Sequence, residues 1–284
     1  MKQKKFDVVN ILLTIMLTLL SAACLYPILY VAYRSLFSGI PMAQTDFFAS
    51  LSLDAYRSVF QNKNIFIGYR NTIFYVGFGT LAGVLLTVMA GYVLAQKWLL
   101  GRGFFMWVVS LPMFISGGII PTYLVMNELG LIDTVWAIIF SGLITTYNVI
   151  ITRTFVEGIP NALGEAARID GANDIIILFW LFIPMLKPVI AVDILYYAVT
   201  RWNEWYKPML YLRNRELFPL QLLLREILVQ GEMNNMGGIS SAQVAMAENI
   251  KYAAIIVSTL PILIIYPFLQ KYFVQGVMIG AVKG

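Results

Sequence analysis

The side chains that run most enzyme chemistry are scarce in this sequence. Its 284 residues include no histidine and one cysteine. That removes the commonest metal ligand, the side chain best suited to proton transfer at neutral pH, and any internal disulfide. No G-x-x-x-x-G-K-[ST] phosphate loop occurs, so any ATP used must be bound by another chain. No Ser/His/Asp set or metal-ligand cluster is legible either. The remaining candidates are polar groups set within apolar runs. Ser141, Thr145, Asn148 and Thr152 are spaced 4, 3 and 4 apart, which on one continuous helix puts them on one face. Such a stripe faces a bundle interior, where it serves interhelical hydrogen bonding or a path for a neutral polyol. Asp193 is the one ionisable residue near the middle of any apolar run. It lies ten residues past Ile183, about 15 Å along a helix and half of a core about 30 Å thick. A carboxylate there needs a partner or water, and reads equally as a functional group or as a hydrogen-bonded packing residue. Trp202 and Asn203, followed by Trp205 and Tyr206, set aromatic rings beside amides at the end of a run. That grouping fits an interfacial belt and also the stacking and hydrogen bonding of a sugar.

The elements that must position these residues follow from composition. The chain is 60% hydrophobic and 12% charged, with a mean hydropathy of +0.77. Ordinary soluble domains carry about 45–50% apolar and about 25% charged residues. Repeated apolar runs near or above span length predict an all-α polytopic membrane protein. The net charge of +5 then concerns lipid headgroups and orientation, not nucleic acid. Six spans are expected, at about 11–33, 71–95, 104–125, 134–151, 183–200 and 251–269. Cys24 is expected as a small buried hydrophobe in the first. Gly77, Gly79, Gly83 and Gly91 let the second approach its neighbours closely. Pro112, Gly117, Gly118 and Pro121 should kink or break the third, which requires protein or a water-filled cavity alongside. A short helix is expected near 53–60 within an outer loop, 34–70, and a Gly/Asn/Ser-rich loop tip at 234–241 within a second, 201–250.

Basic residues orient the chain. Lys2, Lys4, Lys5, Lys97, Arg102, Arg153, Lys271 and Lys283 fall on one side, whereas the short loop 126–133 opposite carries Glu128 and Asp133. The positive side is cytoplasmic, so both termini and the segment 153–182 are expected in the cytoplasm.

That segment leads into EAARIDGANDIIILFWLFIPMLKP, residues 165–188. Glu165 to Arg168 are taken as the start of a helix, where a carboxylate is favoured by the helix dipole. Gly171 permits a turn, and a second apolar segment ends in Pro184 and Pro188. Glu165, Ala166, Ala167, Asp170, Gly171, Ala172, Pro184 and Pro188 together resemble the EAA loop of ABC-importer permeases. Ile175, Ile176, Ile177, Phe179 and Trp180 depart from the polar residues usual there, and are expected to pack on their own subunit or in the headgroup layer. The resemblance extends over nearly the whole chain. It includes Gly117 to Tyr123, Leu129 to Thr134, Arg153-Thr154-Phe155, Trp202-Asn203, Pro219-Leu220-Gln221 and the tail 270–284. These are similar to the carbohydrate-importer branch, within it to the maltose-permease G-type and LplC-like groups linked to oligosaccharides and polysaccharide fragments.

The resemblance implies a single permease domain over 1–284 with the type I (MetI-like) fold and a cytoplasmic coupling helix, in a bacterial plasma membrane. Glu165, Ala166, Ala167, Asp170 and Gly171 would dock into a groove on an ATPase subunit. It implies as partners a second, homologous permease, two ATP-binding subunits that hold ATP and Mg, and an extracytoplasmic solute-binding protein. This chain would then carry no cofactor and no catalysis of its own. The alternatives are a proton-coupled secondary sugar carrier titrating at Asp193, and a membrane scaffold without transport.

Overall fold

The computed structural model describes residues 8–36, 51–236, 246–264 and 267. The tail 270–284 and most of the expected loop tip lie outside them. The architecture is helical, with no strand among the described residues. Two compact units divide the chain, residues 1–65 with 224–260 and residues 66–223 with 261–284.

The first unit opens with α1, Val8–Ser35, whose apolar side chains are exposed along the length of the helix. Cys24 is among the exposed residues. The expectation of a buried cysteine therefore fails, because α1 turns little of its surface toward its own chain. At the end of α1, Ser35 is fully buried and its hydroxyl lies 2.7 Å from that of Tyr56. Tyr56 belongs to α2, Asp54–Gln61, the short helix expected near 53–60. Arg34 pairs with Glu248 at 3.5 Å and stacks its guanidinium over the Tyr252 ring. Both partners lie on the helix Met246–Ile264.

The second unit is built around α3, Lys63–Ala95, 33 residues in one helix. It starts eight residues before the expected span, because the polar turn Lys63-Asn64 is itself helical. Then come α4, Arg102–Ser110, and α5, Ile119–Glu128, separated by a single turn at Leu111–Met113 and an irregular stretch. This is the break that Pro112, Gly117 and Gly118 predict. The expected fourth span is also two helices, α6, Val135–Phe140, and α7, Thr146–Glu157. Next come α8, Asn161–Ile169, α9, Asp174–Met185, and α10, Lys187–Trp202, the last two meeting at an angle of 84°. The expected fifth span is thus the second arm of an elbow. Residues Ile177–Phe182 within α9 wind as a π-helix. The chain continues through α11, Tyr206–Tyr211, and α12, Leu220–Met236. Helix α13, Met246–Ile264, lies mainly in the first unit and begins five residues before the span expected there. Helix α12 carries 234–236, the first residues of the expected loop tip, as helix.

By length and composition α1, α3 and α13 can each cross a membrane, and α9 with α10 adds a fourth if the bent pair is one span. One apolar cluster of the second unit joins Val84, Val88 and Tyr92 of α3 to Val156, Ile177, Leu178, Phe182, Leu186 and Val189. Ile177, Leu178 and Phe182 therefore pack inward, while Ile175 and Trp180 stay exposed. The greasy half of residues 165–188 splits between its own subunit and the surface. A second cluster gathers Tyr75, Met126, Ala137, Ile138, Tyr211 and Phe218. Polar groups tie it together: the Asn71 amide donates to the carbonyls of Glu216 and Phe218, and the Tyr75 hydroxyl donates to Leu217 O.

Candidate functional site

The break between α6 and α7 makes the site. Phe140 is the last residue of α6, and Gly142 follows with φ +119, a backbone that side-chain-bearing residues rarely adopt. Thr145 is extended and begins the next helix. A broken helix leaves carbonyls and N–H groups without intrahelical partners, and side chains from the following elements supply them. Lys207 Nζ donates to Ser141 O at 2.6 Å. Arg201 Nη2 donates to Gly142 O at 3.0 Å. The Thr145 N–H donates to the Tyr197 hydroxyl at 2.9 Å, and that hydroxyl lies 2.7 Å from Thr87 Oγ1.

A slanting row on α3, at steps of four residues, lets this happen: Gly79, Gly83, Thr87 and Gly91. A Cβ on Gly83 would sit 2.7 Å from Leu143 O, and one on Gly91 would sit 2.8 Å from Thr152 Cγ2. Small residues at this spacing permit the close approach that helices in lipid use for packing. Gly77 has open space around it and plays no such part.

Beneath the break is a cavity of about 160 Å³. Its lining combines Ile138, Pro208, Pro219 and the rings of Tyr75, Tyr147, Tyr196 and Tyr197 with Ser141, Gly142, Thr145, Asn148, Thr200, Arg201, Glu204 and Lys207. Ser141, Thr145 and Asn148 are thus brought together, but not as one helical face. The continuous helix assumed for the 4, 3, 4 spacing does not exist, because Gly142 ends it and only Asn148 and Thr152 lie within α7. The spacing was an accident of a break that turns all three residues toward the same space.

The remaining candidates lie elsewhere. Asp193 is fully buried, and its Oδ2 accepts from Thr152 Oγ1 at 2.7 Å. Its Oδ1 is buried without a partner. It does not line the cavity. Trp202 is buried with its indole edge-on to Tyr69 at 6.4 Å, as a packing residue. Asn203 is exposed, with its amide donating back to Val199 O. Sequence reasoning missed Arg201, Glu204 and Lys207, which read as loop charges. It also missed the tyrosine pair Tyr147 and Tyr196, edge-to-face at 5.7 Å. Their common signal is a position near Gly142, legible once that glycine is recognised as a helix end.

A second site surrounds Glu165. Helix α8 begins at Asn161, so Glu165 lies one turn inside it and not at its front; the dipole argument made for its carboxylate lapses, because that effect falls off within the first turn. Glu165, Ala166, Asp170 and Gly171 are exposed and Ala167 is half-buried. The helix closes with a Schellman pattern: Ala172 N bonds Ala167 O, Gly171 N bonds Arg168 O, and Gly171 sits at φ +85. Arg168 bonds Asp174 at 2.8 Å and stacks on the Trp98 ring. Nearby, Arg102 and Arg153 both pair with Glu157. The outcome is a short exposed helix, closed by a glycine turn and tied to α9 at its C-terminal end by an ion pair, following a frame in which the Glu157 pairs join α4 to α7.

A long apolar helix, helices broken around a cavity that mixes apolar surface with hydroxyl, amide and charged groups, and an exposed connecting helix fit a membrane-transport subunit. The comparisons specify which. No family model matches the chain. It is 37% identical, over the full length of both chains, to the polygalacturonan/rhamnogalacturonan transport system permease protein YtcP of Bacillus subtilis (strain 168). It is 38% identical to protein LplC of the same organism, over 98% of this chain and 95% of that one. The arabinooligosaccharides transport system permease protein AraQ of that organism is 27% identical over 99% of this chain. A solved structure of a bacterial ABC transporter involved in the import of the acidic polysaccharide alginate contains a chain with a TM-score of 0.85. The two are 31% identical, over 96% of this chain and 99% of that one. The chain belongs to the permease subunits of carbohydrate ABC importers. That membership removes the proton-coupled carrier reading, and with it the role in which Asp193 would titrate as the driving group.

Proposed function

We propose that this chain is the permease through which an ABC importer carries an oligosaccharide or polysaccharide fragment into the cytoplasm. The observation that carries the reading is 37% identity over the full length of a polygalacturonan/rhamnogalacturonan permease protein, supported by the likeness to the alginate importer. The chain acts as one permease domain over 1–284 with six spans, the third, fourth and fifth being broken or bent. Both termini and the segment 153–182 face the cytoplasm, and 34–70 and 201–250 face outward. Its partners are a second, homologous permease, two ATP-binding subunits that hold ATP and Mg and do the hydrolysis, and an extracytoplasmic solute-binding protein. A solved complex of an alginate ABC transporter with a pentasaccharide-bound periplasmic protein shares the fold, at a TM-score of 0.62. No cofactor is assigned to this chain.

Transport proceeds by alternating access. The binding protein releases its cargo on the outer side, and the sugar passes the cavity under the α6–α7 break. Ser141, Thr145 and Asn148 supply hydrogen-bonding groups there, and the tyrosines supply faces for ring stacking. Closure of the ATPase pair displaces α8 as a rigid body, with Glu165, Ala166, Ala167, Asp170 and Gly171 forming the surface seated on the ATPase. The short α8 frame and its ion pairs carry that displacement into α9 and the elbow before α10.

The test is reconstitution of the complex in liposomes with its loaded binding protein. Uptake should follow ATP and persist when an uncoupler collapses the proton gradient. Glu165→Lys should leave insertion and assembly intact and abolish ATP-dependent uptake. Uptake by this variant at the wild-type rate would overturn the assignment of α8 as the coupling element.

A further inference from the structure

The cavity holds a guanidinium with no ion-pair contact among the described residues. Three charged side chains line it: Arg201, Glu204 and Lys207. Glu204 and Lys207 satisfy each other, with Oε2 to Nζ at 3.4 Å, and Lys207 also caps Ser141 O. Arg201 has no carboxylate within ion-pair distance among the described residues. One Nη2 bond goes to Gly142 O, and its Nε is buried with no hydrogen-bond partner. Glu204 acts on Arg201 electrostatically across the cavity but makes its contact with Lys207. A partly buried cation held without a contacting carboxylate is costly and a candidate functional position.

The seat of this guanidinium is built into the fold. A Cβ on Gly79 would lie 2.6 Å from Arg201 Nη1 and 2.7 Å from Cζ. The fork therefore rests on bare backbone of α3 on one side and on the broken α6–α7 turn on the other. Capping one carbonyl does not require a full positive charge, and the other N–H groups of the fork have no hydrogen-bond partner among the described residues. A planar fork of this kind matches a carboxylate in bidentate fashion. Tyr147 and Tyr196 stand along the same cavity as faces for a sugar ring.

We propose that Arg201 reads substrate charge: it pairs with the carboxylate of a uronate-bearing oligosaccharide as the chain passes the α6–α7 break. This rests on the carbohydrate-importer reading and narrows it to acidic sugars. Arg201 then sets which sugars cross, in addition to whatever the binding protein selects.

The test uses the whole reconstituted complex and two probes, an oligogalacturonide and the same oligosaccharide with its carboxyl groups reduced to alcohols. ATP-dependent uptake is measured per loaded binding protein for wild type, Arg201→Gln and Arg201→Lys. A charge-assisted contact is worth about a ten- to hundredfold preference. Wild type should favour the charged probe by that order, Arg201→Gln should lose the preference while still moving the reduced probe, and Arg201→Lys should keep much of it. Equal losses on both probes in both variants would mean that Arg201 only braces the broken turn, and would overturn the inference. So would a preference unchanged in Arg201→Gln. In the unmodified complex, direct binding of the two probes without binding protein gives the same contrast independently of whether a variant assembles; equal affinities overturn the inference. Uptake of neutral probes alone also overturns it and leaves the importer reading standing. No ATP-dependent uptake of either probe brings down the importer reading itself.

Discussion

Asp133 is the residue whose role a linear reading undervalues most. It entered as one of two acids in a short outer loop, useful only for orientation. In the fold it has φ +61, and its Oδ1 accepts the N–H groups of Arg213 and Asn214, each at 2.8 Å. Its own N–H donates to Tyr211 O. One side chain thus pins the α5–α6 connection to the segment after α11. The Asn214 N–H, and then the Arg213 N–H, hold its carboxyl below the usual carboxylate range. A carboxyl depressed on folding contributes stability above its unfolded pKa, about 3.9, and loses it as pH falls through the lower folded value. Asn tolerates the left-handed backbone, so Asp133→Asn removes the charge and spares the turn. The variant should melt below wild type in detergent near pH 7, and the gap should close as pH falls from about 5 to about 3. A gap independent of pH would assign the effect to geometry instead. Asp193, by contrast, drew attention because it is rare, and among the described residues only one of its oxygens is paired, with Thr152. Rarity in a span identifies a residue that must be satisfied; it does not say by what.

At the scale of elements, α8 shows the closest agreement between pattern and structure. The turn at Gly171 was legible because only glycine fits φ +85 without strain, and the Schellman bonds follow from it. Gly171→Val should cost about 1–2 kcal/mol, the penalty for a side chain in left-handed backbone. It should also lower the uptake driven per ATP hydrolysed while basal hydrolysis by the partner subunits continues. Unchanged coupling in a complex of unchanged melting temperature would show that the turn is not needed to hold α8 rigid. The fourth span shows the opposite lesson. Its residues 134–151 read as one apolar helix because a lone glycine inside such a run is normally tolerated. Whether Gly142 continues a helix or ends it depends on donors outside the helix, and here Arg201 and Lys207 supply them from 59 and 66 residues downstream. No local pattern contains that information.

At the scale of the whole molecule, the orientation rests on charge near span ends and is open to direct labelling. Cys24 is the chain's one cysteine, so a Cys24→Ala background carries no other thiol. In it, Asn161→Cys at the start of α8 should react with a membrane-impermeant maleimide in inside-out vesicles and not in intact cells. Reaction from outside would invert the topology and remove α8 from the ATPase side.

Composition, charge placement and residues 165–188 determined by themselves that this is a helical membrane permease, and where its exposed connecting helix lies. Those features are local: hydropathy over one span, a glycine in one turn, small residues at one spacing. The tertiary structure alone decided that α6 and α7 are separate, that α9 and α10 meet in an elbow, and that Arg201 sits against Gly79 in the cavity under the break. Each depends on which distant group satisfies a backbone atom or a charge, and burial makes that pairing obligatory only once the helices have packed.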